Sequence, residues 1–158
     1  MAETATVATI ALILHSLAAV VWVGGMFFAH QVLRPAAAAL EPGPRLSLWS
    51  RVLGRFFAWV VAAIVLLLLS GLTMVFGVYG GFAGIGLYIQ LMMGLGIVMM
   101  LLFFHLYFAP WRRFRAAVGQ QDWAGAGRQL GQIRTLVTIN LVLGLVTVAI
   151  GGSGRYWG

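Results

Sequence analysis

The sequence has 158 residues, of which 62% are hydrophobic and 8% charged, against roughly a quarter charged in an ordinary soluble domain. The formal net charge is +7, and the chain contains no cysteine. These values predict a protein dissolved in lipid, and they exclude disulfides, thiolate metal sites and cysteine nucleophiles. The positive charge is explained by the orientation of the chain in the membrane, so no nucleic-acid partner is expected.

Four apolar stretches have about the length needed to cross a hydrocarbon core of ~30 Å. They cover residues 6–30, 56–77, 85–109 and 136–151. No soluble core could bury them all, so the sequence predicts one transmembrane domain over residues 1–158. The predicted fold class is an all-α membrane protein, an antiparallel bundle of four transmembrane helices.

The arginines predict the orientation of these spans. All but Arg155 lie in the first and third connections between spans, and the second connection is uncharged. Because cytoplasmic loops collect basic residues, both termini are expected outside, in the periplasm of a Gram-negative cell. The predicted location is therefore the bacterial inner (plasma) membrane, with the lipid bilayer as the first partner.

The two arginine-rich connections also contain apolar residues at helical spacing. Residues 45–55, with Trp49, are predicted as an interfacial helical segment that leads into the second span. Residues 120–134, which Asp122 is placed to cap, are predicted as a short helix on the membrane surface. Trp49 and Trp111 are expected to anchor at the headgroup level.

Strongly polar side chains are rare inside the predicted spans, and each requires a partner or a function because burial in lipid is costly. They are His15, His30, Gln90, His105 and Asn140. Histidine is the leading candidate for function, since it binds metals and haem. Asn140 and Gly144, four residues apart, are expected to hold two helices together.

His15, Trp22, Met26 and His30 are spaced to form one stripe along the first helix. His15 is expected near mid-membrane, where the alternative to function is a hydrogen bond to a backbone carbonyl, Gln90 or Asn140 of a neighbouring helix. His30 is expected at the cytoplasmic end of its span.

His105 is expected at the same depth as His30, near the cytoplasmic end of the third span. The two rings could therefore ligate one b-type haem, with Arg34, Arg112 and Arg113 at its propionates. The alternative is that both histidines merely reach the headgroups from the helix ends.

Copper is the second cofactor hypothesis. Thioethers suit Cu(I), and His15, Met26, His30 and His105 are its candidate ligands, although methionines in these helices could equally be packing residues. The sequence has no hydrolytic motif and no acidic residue in any predicted span. A haem-dependent oxidoreductase is the enzymatic class left open, and the catalytic residues are unknown.

The first span, from Leu14-His15 through Trp22, Gly24-Gly25 and Met26 to Arg34-Pro35, resembles the opening helix of small CopD-like (copper resistance D) membrane proteins. Arg55-Phe56-Phe57-Ala58-Trp59, the stretch from Ile133 to Gly144 and Gly154-Arg155-Tyr156 fit the same pattern. This resemblance implies a four-helix membrane protein that serves copper uptake or tolerance.

His15, Trp22 and Gly25 also have the spacing found in the first helix of HemJ-type protoporphyrinogen oxidases, which bind b-type haem. The chain departs from that pattern after Gly25 and contains no lysine. This second resemblance therefore implies haem binding through His15 and not the oxidase activity.

Three functional hypotheses follow. The protein could handle or transport copper through its histidines, or it could carry electrons through a b-type haem to a partner such as quinone. The alternative is a cofactor-free accessory subunit or assembly factor of a larger membrane complex. A homo-oligomer is compatible with each hypothesis.

Overall fold

The protein is all-helical, as predicted. The structure, a computed structural model, describes residues 2–157, and four helical runs in that range are long and apolar enough to cross a membrane. These runs are Glu3–Ala37, Pro42–Gly77, Leu87–Gly119 and Trp123–Tyr156. Each predicted span lies almost entirely inside one of them, so the prediction of four apolar helices is confirmed.

The first helix runs without a break, but two of its segments are π-helical and not α-helical. It comprises α1 (Ala2–Ala19), α2 (Gly25–Phe28) and α3 (Arg34–Ala37), joined by the π-helical segments Val20–Gly24 and Ala29–Leu33. Such π-helical turns are rare in proteins, and where they occur they often lie at functional sites. The two segments contain Trp22 and His30, two residues of the predicted stripe.

The remaining helices are α4 (Pro42–Gly77), α5 (Leu87–Phe108), α6 (Pro110–Gly119) and α7 (Trp123–Ser153). Helix α5 ends where Pro110 removes a backbone donor, and the backbone turns at Ala109 (φ −110°, ψ −85°) before α6. Helix α7 begins at a cap: the Asp122 carboxylate accepts a hydrogen bond of 2.8 Å from Gly125 N–H, as the sequence predicted.

Residues 45–55 lead without a break into the second span, as predicted, but the prediction that they lie at the membrane surface is wrong, and so is the prediction of a separate surface helix over residues 120–134. Residues 45–55 and 120–134 belong mainly to the first turns of the long helices α4 and α7. Their apolar residues pack into the bundle: Leu46, Trp49, Leu130 and Ile133 are each at most 4% exposed. An apolar face at helical spacing looks the same in sequence whether it packs against lipid or against another helix.

Trp49 and Trp111 are therefore not headgroup anchors. Both are 4% exposed, and the Trp111 ring packs edge-to-face on Phe57 with centroids 5.1 Å apart. Phe57 in turn packs on Phe103, which contacts Trp22 of the first helix. These rings form an aromatic core towards the end of the bundle at which the arginines lie.

Helix contacts show how the four runs are arranged. His15 and His30 of the first helix lie against Ser70 and Trp49 of α4 respectively, so these two helices run in opposite directions. Helices α5 and α7 also run antiparallel, since Tyr88 lies against Gly154 and Met99 against Asn140.

Two features of the bundle match their expected environments. Asn140 Nδ2 donates to the Met99 carbonyl at 3.2 Å, which confirms that this residue links two helices. Many large apolar side chains face outwards, among them Val20, Leu69 and Leu101, each at least 61% exposed. An exterior of this kind suits lipid.

Candidate functional site

The predicted stripe of the first helix faces the interior of the bundle. Trp22 and Met26 are each 2% exposed, and His15 and His30 are half-buried. The middle of the stripe is closely packed, because Trp22 and Met26 are part of the hydrophobic core. His15 and His30 therefore occupy two separate environments.

His15 is held by α4. Its Nδ1 lies 3.0 Å from the hydroxyl oxygen of Ser70, and that hydroxyl donates its proton to the carbonyl of Leu66, one turn earlier in α4. A serine hydroxyl has one proton, so while Ser70 donates to Leu66 its oxygen can only accept from His15. In the tautomer that fits this arrangement, Nδ1 carries the imidazole proton and Nε2 carries the lone pair.

This arrangement is the one found around metal-binding histidines. A ligating imidazole commonly donates its second N–H to a neighbouring oxygen, which fixes both the tautomer and the ring orientation. Gly71, the next residue of α4, lies against the same ring, and a methyl group added to this glycine would sit 3.5 Å from His15 Cε1. The His15 ring is thus positioned by two consecutive residues of α4, one with a small side chain and one with none.

A thioether lies on the same face of α4. Met74 is half-buried and follows Ser70 by four residues, one helical turn nearer to the chain termini. In an α-helix, side chains tilt towards the N-terminus, so those of two antiparallel helices tilt towards each other. By this rule the side chains of Met74 and His15 incline towards each other's level along the bundle.

A groove opens between the same two helices at the end of the bundle where the termini lie. It is lined by Thr4, Ala5, Ala8, Gly77 and Val78 and has a volume of about 430 Å³. Ala8 precedes His15 by seven residues, a distance of ~10 Å along a helix. We call it the terminal groove.

His30 lines a different, much smaller cavity between the first helix, α4 and α7, which we call the His30 cavity. Its polar lining consists of His30, Arg34, Trp49 and Arg134, and its volume is about 30 Å³. That space holds one or two water-sized groups. Ligand pockets for drug-sized molecules are about ten times larger, so a porphyrin does not fit.

The other residues predicted for haem lie apart from this cavity. His105 is exposed on α5, and Arg112 and Arg113 are exposed on α6; none of the three lines the cavity with His30 and Arg34. The described residues thus offer no slot in which His30 and His105 could share a haem.

The methionine sulfurs also differ in environment. Met26 and Met99 are buried in the core, and Met99 Sδ lies 3.9 Å from the Thr147 hydroxyl. Among the described residues there is no group of three or more histidine, aspartate or glutamate side chains that could hold a metal ion. A copper site in this chain would rest on few ligands, with thioethers among them.

The sequence predicts a backbone carbonyl, Gln90 or Asn140 of a neighbouring helix as the alternative partner of His15. The ring does lie within hydrogen-bond reach of the Leu67 backbone in α4, as the first of these predicts. The two amides bond elsewhere: Gln90 donates to the Ile85 carbonyl near the start of its own helix, and Asn140 donates to the Met99 carbonyl. Ser70 could not be predicted as a partner of His15, because the sequence does not show which helices pack together. Only the packing of the first helix on α4 brings the Ser70 hydroxyl to His15.

Comparison with known proteins identifies the family. Searches of curated proteins and of solved structures gave no match. The family model of copper resistance protein D (CopD) matches residues 50–153, which include α5, α6, α7 and most of α4. The match begins after the first helix, so His15, Met26 and His30 lie outside it. Because more than half of the sequence is matched, this multi-pass membrane protein belongs to the CopD family.

Proposed function

We propose that this CopD-family protein handles copper by holding a Cu(I) ion at Nε2 of His15, within the membrane. The observation that carries the proposal is the hydrogen bond between His15 Nδ1 and Ser70 Oγ, with the Ser70 proton already given to Leu66. This bond leaves Nε2 as an oriented lone pair in an apolar region. The family implies a role in copper resistance or handling.

The chemistry of the surroundings favours Cu(I) over harder divalent ions. Imidazole and thioether ligands suit Cu(I), whereas Mg²⁺ and Ca²⁺ need several oxygen ligands. The chain has no cysteine, and its three acidic residues are Glu3, Glu41 and Asp122, all outside the predicted spans. We propose Met74 as a second, soft ligand, because it lies one turn from Ser70 on the face of α4 that faces His15.

We propose the terminal groove as the way by which copper approaches His15. The groove lies between the outer turns of the first helix and α4, at the end of the bundle opposite the arginine-rich connections. We propose that this side is the periplasmic one, because the other end carries the arginine-rich connections and the positive-inside rule places those in the cytoplasm. Copper would then enter from outside the bacterial inner membrane, as the cargo of the protein.

Copper content of cells tests the proposal. Cells that express the wild-type chain and are grown with added copper should differ in cell-associated copper from cells with empty vector. His15→Ala should abolish the difference, and His105→Ala should preserve it because His105 lies exposed on α5. Comparing the same substitution at two histidines shows whether the effect is specific to His15 or follows the loss of any imidazole.

Two results would count against the proposal. A His15→Ala variant that accumulates in the membrane and retains the full copper difference would remove His15 from the function. No difference between wild type and vector would favour the accessory-subunit hypothesis.

A further inference from the structure

A second polar cluster lies at the opposite end of the bundle from the terminal groove, and the copper proposal does not use it. Three residues around the His30 cavity each have a buried side-chain nitrogen that lacks a hydrogen-bond partner: His30 Nδ1, Trp49 Nε1 and Arg134 Nε. Buried polar atoms without partners are uncommon, since each costs about 1–3 kcal/mol. Three of them around one cavity point to a missing partner.

The chemistry of these atoms limits what that partner can be. The indole N–H of Trp49 and the Nε–H of Arg134 can only donate, and His30 Nδ1 donates when it carries the ring proton. The missing group must therefore be an acceptor. Because the cavity has a volume of about 30 Å³, it admits one or two oxygen-sized atoms and not a whole organic ligand.

Charge indicates that the acceptor is anionic. Arg134 lies within electrostatic reach of Arg34 and Arg45, and none of the three has a carboxylate partner in the part of the chain that the structure describes. The Arg134 guanidinium also lies over the Trp49 ring, 5.6 Å from its centroid. This stacking keeps Arg134 beside the cavity in spite of the repulsion from the other two arginines.

We infer that His30, Trp49 and Arg134 form a binding site for a phosphate oxyanion, with one oxygen in the His30 cavity and the negative charge balanced by Arg34, Arg45 and Arg134. The three nitrogen atoms are covered in the present structure. Side chains that line the cavity must therefore move as the oxygen enters. A phosphate oxygen can accept from several donors at once, whereas a water molecule accepts two hydrogen bonds and needs acceptors for its own protons.

Two sources can supply this group: the phosphodiester of an anionic lipid or free inorganic phosphate. The surroundings favour the lipid. Phe28 and Val32, on the turns of the first helix next to His30, are 55% and 49% exposed, so acyl chains can lie along the same helix. The site would fix the arginine end of the bundle to one leaflet.

Thermal stability of the detergent-purified full chain, depleted of lipid, tests the inference. The probes are dioleoylphosphatidylglycerol, dioleoylphosphatidylcholine and inorganic phosphate, each titrated separately. We expect the anionic lipid to raise the Tm more than the zwitterionic lipid. In Arg134→Gln the apparent affinity for the anionic lipid should fall about tenfold or more, since a charged hydrogen bond is lost.

Matched variants separate the site from general charge. Arg128→Gln removes the same charge from an exposed position of α7 and should keep the wild-type response. Trp49→Phe removes one donor but keeps a ring, and should weaken binding a few-fold. Trp59→Phe, on the exposed face of α4, should have no effect.

Each outcome is decisive. A response to the anionic lipid that Arg134→Gln and Trp49→Phe both reduce supports the site with lipid as its source. An equal response to inorganic phosphate with the same variant pattern supports the site with a free anion as its source. The inference is overturned if neither probe stabilises the wild type, or if Arg134→Gln responds like Arg128→Gln.

Discussion

Nδ1 of His15 on the first helix lies 3.0 Å from the hydroxyl oxygen of Ser70 on α4, a hydrogen bond between residues 55 positions apart in sequence. It joins the two helices and occupies Nδ1 of His15, so Nε2 is the ring nitrogen that we propose as the copper ligand. The proposed copper function depends on this bond, whereas the proposed phosphate site does not. The two proposals can therefore fail independently.

Ser70→Ala should weaken Cu(I) binding without removing the ligand. The variant loses the oxygen that orients the His15 ring, and loss of such a supporting partner typically lowers metal affinity by about 10–100-fold. Competition with a Cu(I) chelator measures the change. Ser153→Ala, whose hydroxyl bonds only to the Ala149 carbonyl of its own helix, is the control and should bind as the wild type does.

Neighbouring glycines in the first helix should respond oppositely to the same substitution. A methyl group at Gly25 would collide with the Phe56 ring, whereas Gly24 has open space around it. Gly25→Ala should therefore destabilise the bundle by about 1–3 kcal/mol through overpacking. Gly24→Ala should be neutral or stabilise it by up to about 1 kcal/mol, because alanine favours the helix.

Thermal unfolding in detergent distinguishes the two glycine variants. Equal Tm values for both would contradict the close contact between the first helix and α4 at Phe56.

Asn140→Ala should lower stability modestly. The Nδ2 of Asn140 donates to the Met99 carbonyl across the interface of α5 and α7, and hydrogen bonds between membrane helices contribute about 0.6 kcal/mol on average. Chemical or thermal unfolding of the purified protein measures the loss. A variant as stable as the wild type would indicate that this bond contributes nothing to helix association.

The proposed orientation can be tested with single cysteines because the natural chain has none. Thr4→Cys lies at the end with the termini, and Gln120→Cys lies in the connection between α6 and α7; both positions are exposed. In intact spheroplasts a membrane-impermeant maleimide should label the first variant and reach the second only after permeabilisation. The reverse pattern would invert the proposed topology.

The helices could be predicted from the sequence because each span is a long apolar stretch that no soluble fold could bury. Their true ends could not. The apolar faces around Trp49 and Ile133 predicted helices correctly, but the sequence does not say whether such a face meets lipid or protein. Only the packed bundle shows that both faces are buried.

The candidate sites were predicted in part. His15 and His30 stood out because histidine is costly in a membrane, and both face inwards. The grouping of His30 with His105 was inferred from depth alone, and depth does not determine which way a side chain faces around its helix. Trp49 and Arg134 were assigned to the membrane surface, so their meeting beside His30 could not be foreseen.

The most direct test of the central claim is Cu(I) titration of the detergent-purified wild type and of His15→Ala, under anaerobic conditions and against a chelator of known affinity. The wild type should bind about one Cu(I) per chain, and His15→Ala should lose this binding while it remains folded, with at most a modest fall in Tm from the lost bond to Ser70. Equal Cu(I) binding by the two proteins, or none by the wild type, would contradict this claim.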